Sequence, residues 1–109
     1  MPHCIVEYAA PLQNKIDVPN LVENLFEGMI DSGLFDRATI KVRATPSDHF
    51  MTGSDKQLYM HTTVKLLPGR SPQQKEMLGE RLLEIKTQVL AGTAMLSVEV
   101  VDLSEAYFK

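Results

Sequence analysis

Three groups stand out as candidates for chemistry: the nitrogen of Pro2 and the side chains of Lys41 and Arg43. Pro2 directly follows Met1, and a small second residue such as proline ordinarily lets an aminopeptidase remove the initiator. The product is a secondary amine at the tip of a stiff segment. A simple α-amino group titrates at about 7.7–8.0. A dialkyl nitrogen is more basic, so burial and neighbouring cations must lower its pKa before it acts as a base near neutral pH. The same Met-Pro start opens many chains in which the proline has no catalytic part. Lys41 and Arg43 are separated by one residue, which in an extended segment puts them on one face. Like charges that close repel unless water or an anion lies between them. A solvated sheet face and an anion site both satisfy that requirement.

The other polar residues point elsewhere. His3, His49 and His61 have no metal-ligand spacing and read as structural, His61 alternating with threonines. Cys4 is the single cysteine, cannot form an internal disulfide, and reads as a small buried apolar residue. A net charge of −3 without a basic block argues against a nucleic-acid partner. No apolar run approaches a membrane span, and the N-terminus lacks a basic stretch followed by an apolar one, so the expectation is a cytoplasmic protein without a membrane partner. The 109 residues suffice for one domain, residues 1–109, with a core small enough that oligomerisation would help it.

The elements that must position these groups can be read in order. Residues 1–8 alternate as a strand, and 9–14 read as a connecting loop. Asp17 is an N-cap with Pro19 in the first turn. Leu21, Leu25 and Met29 then recur at helical spacing, Val22 and Phe26 widen the stripe, and Gly33 stops the helix. Residues 39–44 form a second strand with Ile40, Val42 and Ala44 opposite Lys41 and Arg43. Residues 46–56 read as a polar loop, and Tyr59 to Leu66 as a third strand. Ser71, Pro72 and Gln74 make a capping box for a long helix whose buried face is Leu78, Leu82, Ile85 and Val89, ending near Gly92. Residues 96–102 are a fourth strand. Met29, Met51, Met60 and Met77 read as packing residues, with Met51 also placed at a pocket rim, and Tyr107 and Phe108 as core or interface.

Strand–helix–strand twice over implies an α/β arrangement of the two-layer α+β kind. Two parallel β-α-β units make a four-stranded sheet with both helices on one face. The bare face would carry either Cys4, Val6 and Tyr8 or His3, Ile5 and Glu7. Either set includes apolar area, which predicts a second copy covering it.

Pro2-His3-Cys4-Ile5-Val6-Glu7, Ser32-Gly33-Leu34-Phe35, Ile40-Lys41-Val42-Arg43, His61-Thr62-Thr63-Val64-Lys65 and Gly69-Arg70-Ser71, taken in order, resemble the 5-carboxymethyl-2-hydroxymuconate isomerase family of the tautomerase superfamily. The resemblance covers nearly the whole chain, with a shorter C-terminal part. It implies a homotrimer of β-α-β-β-α-β subunits with sites near subunit boundaries, and a prolyl amine, here Pro2, as proton shuttle. It also implies a small dicarboxylate or tricarboxylate substrate and no metal or organic cofactor. Arg70 matches an arginine that engages a substrate carboxylate. The family has two arginines on the second strand; Arg43 matches one, while Lys41 replaces the other. Arginine offers a carboxylate a planar fork and lysine a point charge. Lys41 therefore keeps the field that lowers the Pro2 pKa and holds a developing dienolate oxygen, but loses the bidentate grip.

The implied reaction moves a proton along a conjugated unsaturated 2-oxo acid, as in homoprotocatechuate breakdown. Pro2, Lys41 and Arg43 are its catalytic groups, and Arg70, Lys41 and Arg43 bind the substrate. Two alternatives remain open at this point. One is a hydratase or dehalogenase on the same scaffold, with Glu7 or Asp48 activating water beside a protonated Pro2. The other is a trimeric binding protein without chemistry.

Overall fold

Along the first strand, β1 (His3–Ala9), Cys4, Val6 and Tyr8 are buried while Glu7 is exposed, so the strand turns its even-numbered side chains to the core. The computed structural model describes residues 1–109. β1 leads through a short 3-10 turn at Ala10–Asn14 into α1 (Val18–Asp31). A second 3-10 turn at Arg37–Thr39 precedes β2 (Lys41–Ser47), and β3 (Tyr59–Leu66), α2 (Pro72–Leu90) and β4 (Met95–Asp102) follow. The sheet order is β2-β1-β3-β4. β1 pairs parallel with β2, β3 pairs parallel with β4, and the two units meet antiparallel across β1 and β3. Both helices lie over one sheet face, α1 against β2 and α2 against β4, as the two-layer expectation required.

Local chemistry accounts for the helix ends. The Asp17 carboxylate accepts from the Asn20 N–H, and Ser71 and Gln74 form the reciprocal capping box. Gly33 sits at φ 72°, where a side chain would be strained. Gly28 serves packing instead: a Cβ there would lie 2.5 Å from Ile85 Cδ1, so the close approach of α1 and α2 would have to be relieved by a shift of the Ile85 side chain.

Several local expectations are corrected. Residues 10–14 are a 3-10 turn that buries Leu12 completely, not an open loop. Pro46 and Ser47 extend β2 rather than opening the loop, which an edge strand tolerates because its outer side needs no donor. Met51, Met77 and Val89 are exposed, unlike Met29 and Met60. Helical drift moves the buried stripe of α2 to Lys86 and Leu90 at its end.

The face away from the helices takes one of the two expected registers. It carries His3, Ile5 and Glu7, the second of the two registers, with Lys41, Arg43, Thr45, Tyr59, His61, Thr63 and Lys65 on β2 and β3 and, on β4, Met95, Ser97, Glu99 and Val101. Tyr59 donates to Glu7 at 2.6 Å and Ser47 donates to it at 3.0 Å, while His61 bonds Ser97 and Thr63. Polar side chains outnumber the apolar ones on this face, where Ile5, Met95 and Val101 supply the expected apolar area.

Lys86 is the outlier of the core. It is fully buried with no carboxylate partner; its ammonium donates to Ser97 O at 2.7 Å, Thr62 Oγ1 at 3.0 Å and Met60 O at 3.2 Å, tying α2 to β3 and β4. Burial pushes its pKa down from 10.5 to about 8, slightly offset by Cys4, whose own thiol burial pushes up to about 12. Between about 8 and 10.5 the unfolded chain holds the lysine proton that the fold has released, so this group's contribution to stability rises with pH through that window. Cys4 acts in the opposite sense above its ordinary range, because the unfolded thiol ionises first. A comparison with Lys86→Met isolates the lysine. Denaturant unfolding should show wild type gaining on the order of 3 kcal/mol relative to Lys86→Met between about pH 7 and pH 10. A flat difference would contradict the burial of a charge there.

Candidate functional site

The start of the chain is held by sheet pairing. Lys41 N–H donates to the Pro2 carbonyl at 3.2 Å, one step ahead of the register in which His3 faces Lys41 and Ile5 faces Arg43. Pro2 is buried, and with Met1 attached its nitrogen is an amide. Lys41 stays exposed and reaches back over the terminus, its ammonium 3.3 Å from Met1 Sδ and 3.5 Å from Thr39 O. Arg43, on the same face, places Nη1 3.2 Å from His3 Nδ1. The expected trio of Pro2, Lys41 and Arg43 therefore shares one corner of the sheet.

Arg70 arrives from the turn before α2 and is more constrained than a solvated arginine. Its guanidinium donates to Leu34 O at 2.6 Å and Leu67 O at 3.3 Å and stacks 5.1 Å from the Phe35 ring centre. Its remaining N–H groups make no hydrogen bond inside the chain. Its charge still reaches the terminus: burial lowers the pKa of the Met1 amine, and Lys109, Arg70 and Lys41 lower it further. An amine at this corner is made less basic from three directions.

Lys109, His3 and Tyr107 belong to the corner although their residue types gave no sign of it. His3 Nε2 lies 2.9 Å from the Tyr107 hydroxyl. Burial first, then Arg43, Lys41, the terminal amine and Lys65, lower the His3 pKa. Strand alternation does put His3 on the Lys41 face, but only a parallel register makes it a neighbour. Nothing local marks a tail tyrosine as its partner. His49 and His61 lie elsewhere, and the three histidines do not gather with other ligand types.

Glu7 and Asp48, the carboxylates of the hydratase alternative, sit at the other end of the strands. Glu7 is four residues along β1 from His3, about 13 Å of strand, and its carboxylate is held by Tyr59 and Ser47, which lower its pKa. Neither can activate water beside Pro2 of the same chain.

Residues 2–108 match the family described as 5-carboxymethyl-2-hydroxymuconate isomerase. The chain belongs to that family. It is accordingly an enzyme, an isomerase. The 5-carboxymethyl-2-hydroxymuconate Delta-isomerase of Escherichia coli is 32% identical over 94 residues, covering 84% of this chain and 75% of that protein. A 5-carboxymethyl-2-hydroxymuconate isomerase from Deinococcus radiodurans R1 superposes with a TM-score of 0.88 at 24% identity, over 99% of this chain and 87% of that one. A structure described as the W0 fused 4-OT wild type symmetric trimer gives 0.75 at 12% identity, over 97% and 90%. The last two establish the fold.

Within this isomerase-family chain, Arg70 joins the turn after α1 to the turn before α2. Arg70→Met should lower unfolding stability by about 1–3 kcal/mol, because Leu34 O and Leu67 O lose a charged donor. Arg70→Lys should not restore it, since a single ammonium cannot serve both carbonyls while stacking on Phe35. Urea unfolding of the two variants checks this; stability equal to wild type would make the arginine dispensable to the fold.

Proposed function

We propose that this chain is a cofactor-independent isomerase that shifts a proton along a conjugated unsaturated 2-oxo acid of the 5-carboxymethyl-2-hydroxymuconate kind. It works as one tautomerase-like domain, residues 1–109, in a cytoplasmic homotrimer. The observation that carries the reading is the placement of the chain start: the Pro2 carbonyl is bonded to Lys41, in a corner where burial and three cations lower the basicity of an amine. The E. coli relative, named for a Delta-isomerase activity, and the symmetric trimer of similar fold support the reaction and the assembly.

Excision of Met1 turns the Pro2 amide into a secondary amine. As free base it takes the proton from the activated carbon beside the 2-oxo group, and the C–H electron pair moves into the conjugated system as a dienolate. Lys41 and Arg43 hold the negative oxygen and the adjacent carboxylate where charge develops. The Pro2 ammonium returns the proton at the far carbon, restoring the base. Arg70, with its guanidinium already anchored on Leu34 and Leu67, offers its remaining donors to the distal carboxylate, in an active site shared with a neighbouring subunit.

Protein shown by mass spectrometry to lack Met1 should turn over 2-hydroxymuconate or phenylpyruvate. Pro2→Ala should lower kcat/KM by about 10²–10⁴-fold, the usual contribution of a positioned base. Because the free amine is the active form, kcat/KM rises with pH through the Pro2 titration. Lys41→Gln removes a cation that disfavours the ammonium, so its acid limb moves to higher pH. Equal, negligible rates for wild type and Pro2→Ala would end the proposal for those substrates.

A further inference from the structure

His3 takes no part in the proton transfer, yet it touches Arg43, which receives the charge. The sheet sets it between Lys41 of β2 and Lys65 of β3, its register partners. A guanidinium has donors only, so in the 3.2 Å contact His3 Nδ1 is the acceptor and carries no hydrogen. The hydrogen of the neutral ring is then on Nε2, which donates to the Tyr107 hydroxyl at 2.9 Å. The two rings meet edge to face, centroids 5.9 Å apart at 77°. Both ring nitrogens are therefore committed, and the imidazole cannot flip without losing both partners.

We propose that His3 is a positioning residue for Arg43: Tyr107 fixes the imidazole in the tautomer whose Nδ1 accepts from the guanidinium, and that acceptor keeps Arg43 aimed at the substrate carboxylate beside Pro2. The inference rests on the isomerase reading of Pro2, Lys41 and Arg43 and adds a residue to it. An exposed arginine at a strand edge otherwise samples many rotamers, and its planar fork grips a carboxylate only when held in plane. Every charged group acting on His3 is a cation: Arg43 and Lys41 from β2, Lys65 from β3, and the terminal amine. With burial they keep the ring neutral, which is the form that can accept. A proton added at Nδ1 replaces the acceptor by a donor and breaks the contact with Arg43.

The test uses trans,trans-muconate, an unsaturated dicarboxylate, as a binding probe in calorimetry, alongside steady-state turnover. His3→Leu should raise the muconate Kd and the substrate KM about tenfold, the worth of one hydrogen bond to a charged group, with kcat changed less than about threefold. His3→Asn sets an amide oxygen near the Nδ1 position and should recover most of that affinity. Tyr107→Phe, which frees the ring to turn, should fall between. As pH drops through the His3 titration, wild type should lose muconate affinity that His3→Asn keeps. Wild-type affinity in His3→Leu, or a loss in His3→Asn as large as in His3→Leu, overturns the positioning role. If muconate binding follows this pattern while wild type shows no turnover, the isomerase reading fails and the positioning role stands. If wild type binds no muconate at all, both fall.

Discussion

The parallel pairing of β1 with β2 is the constraint on which the rest depends. A single backbone bond, Lys41 N–H to Pro2 O, continues that ladder to the second residue of the chain. A chain start normally frays; here it is buried and locked beside a strand whose outward side chains are Lys41 and Arg43. The helices serve this pairing indirectly. Their apolar stripes, Leu21, Leu25 and Met29 on α1 and Leu78, Leu82 and Ile85 on α2, fix which sheet face is dry. That choice turns His3, Lys41 and Arg43 outward together.

Much of this arrangement could be read from residue order because local and tertiary preferences agree. The third strand has its expected limits, Tyr59–Leu66, since β-branched and aromatic residues fill it and turn chemistry bounds it. The Ser71 capping box and the Asp17 cap are where their side chains say they should be. Where reading failed, the deciding information was not local. Lys86 has the wrong polarity for a core, and only three acceptors from two neighbouring strands make its burial tolerable. Pro46 looks like a breaker until β2 is known to be an edge strand.

The corner around Pro2 divides the same way. That Lys41 and Arg43 share a face follows from a period of two, and a proline after the initiator marks a possible amine in any chain. Arg70 needed the resemblance to be noticed at all, and its grip on Leu34 O and Leu67 O was invisible because it links two turns 36 residues apart. His3 and Tyr107 are 104 residues apart, and no spacing rule connects them. What joins them is the tail folding back across the chain start, which also brings the charge of Lys109 to bear on the terminal amine.

The open sheet face is not electrically uniform. Lys41, Arg43 and Lys65 surround His3 at one end of β1, while Glu7 holds its ionised carboxylate at the other with Tyr59 and Ser47. The chain as a whole carries −3, so at a distance it repels anions. Close to this face the sign reverses over the length of one strand. A small anion beside this face is repelled at the Glu7 end and attracted at the His3 end, and salt flattens that difference.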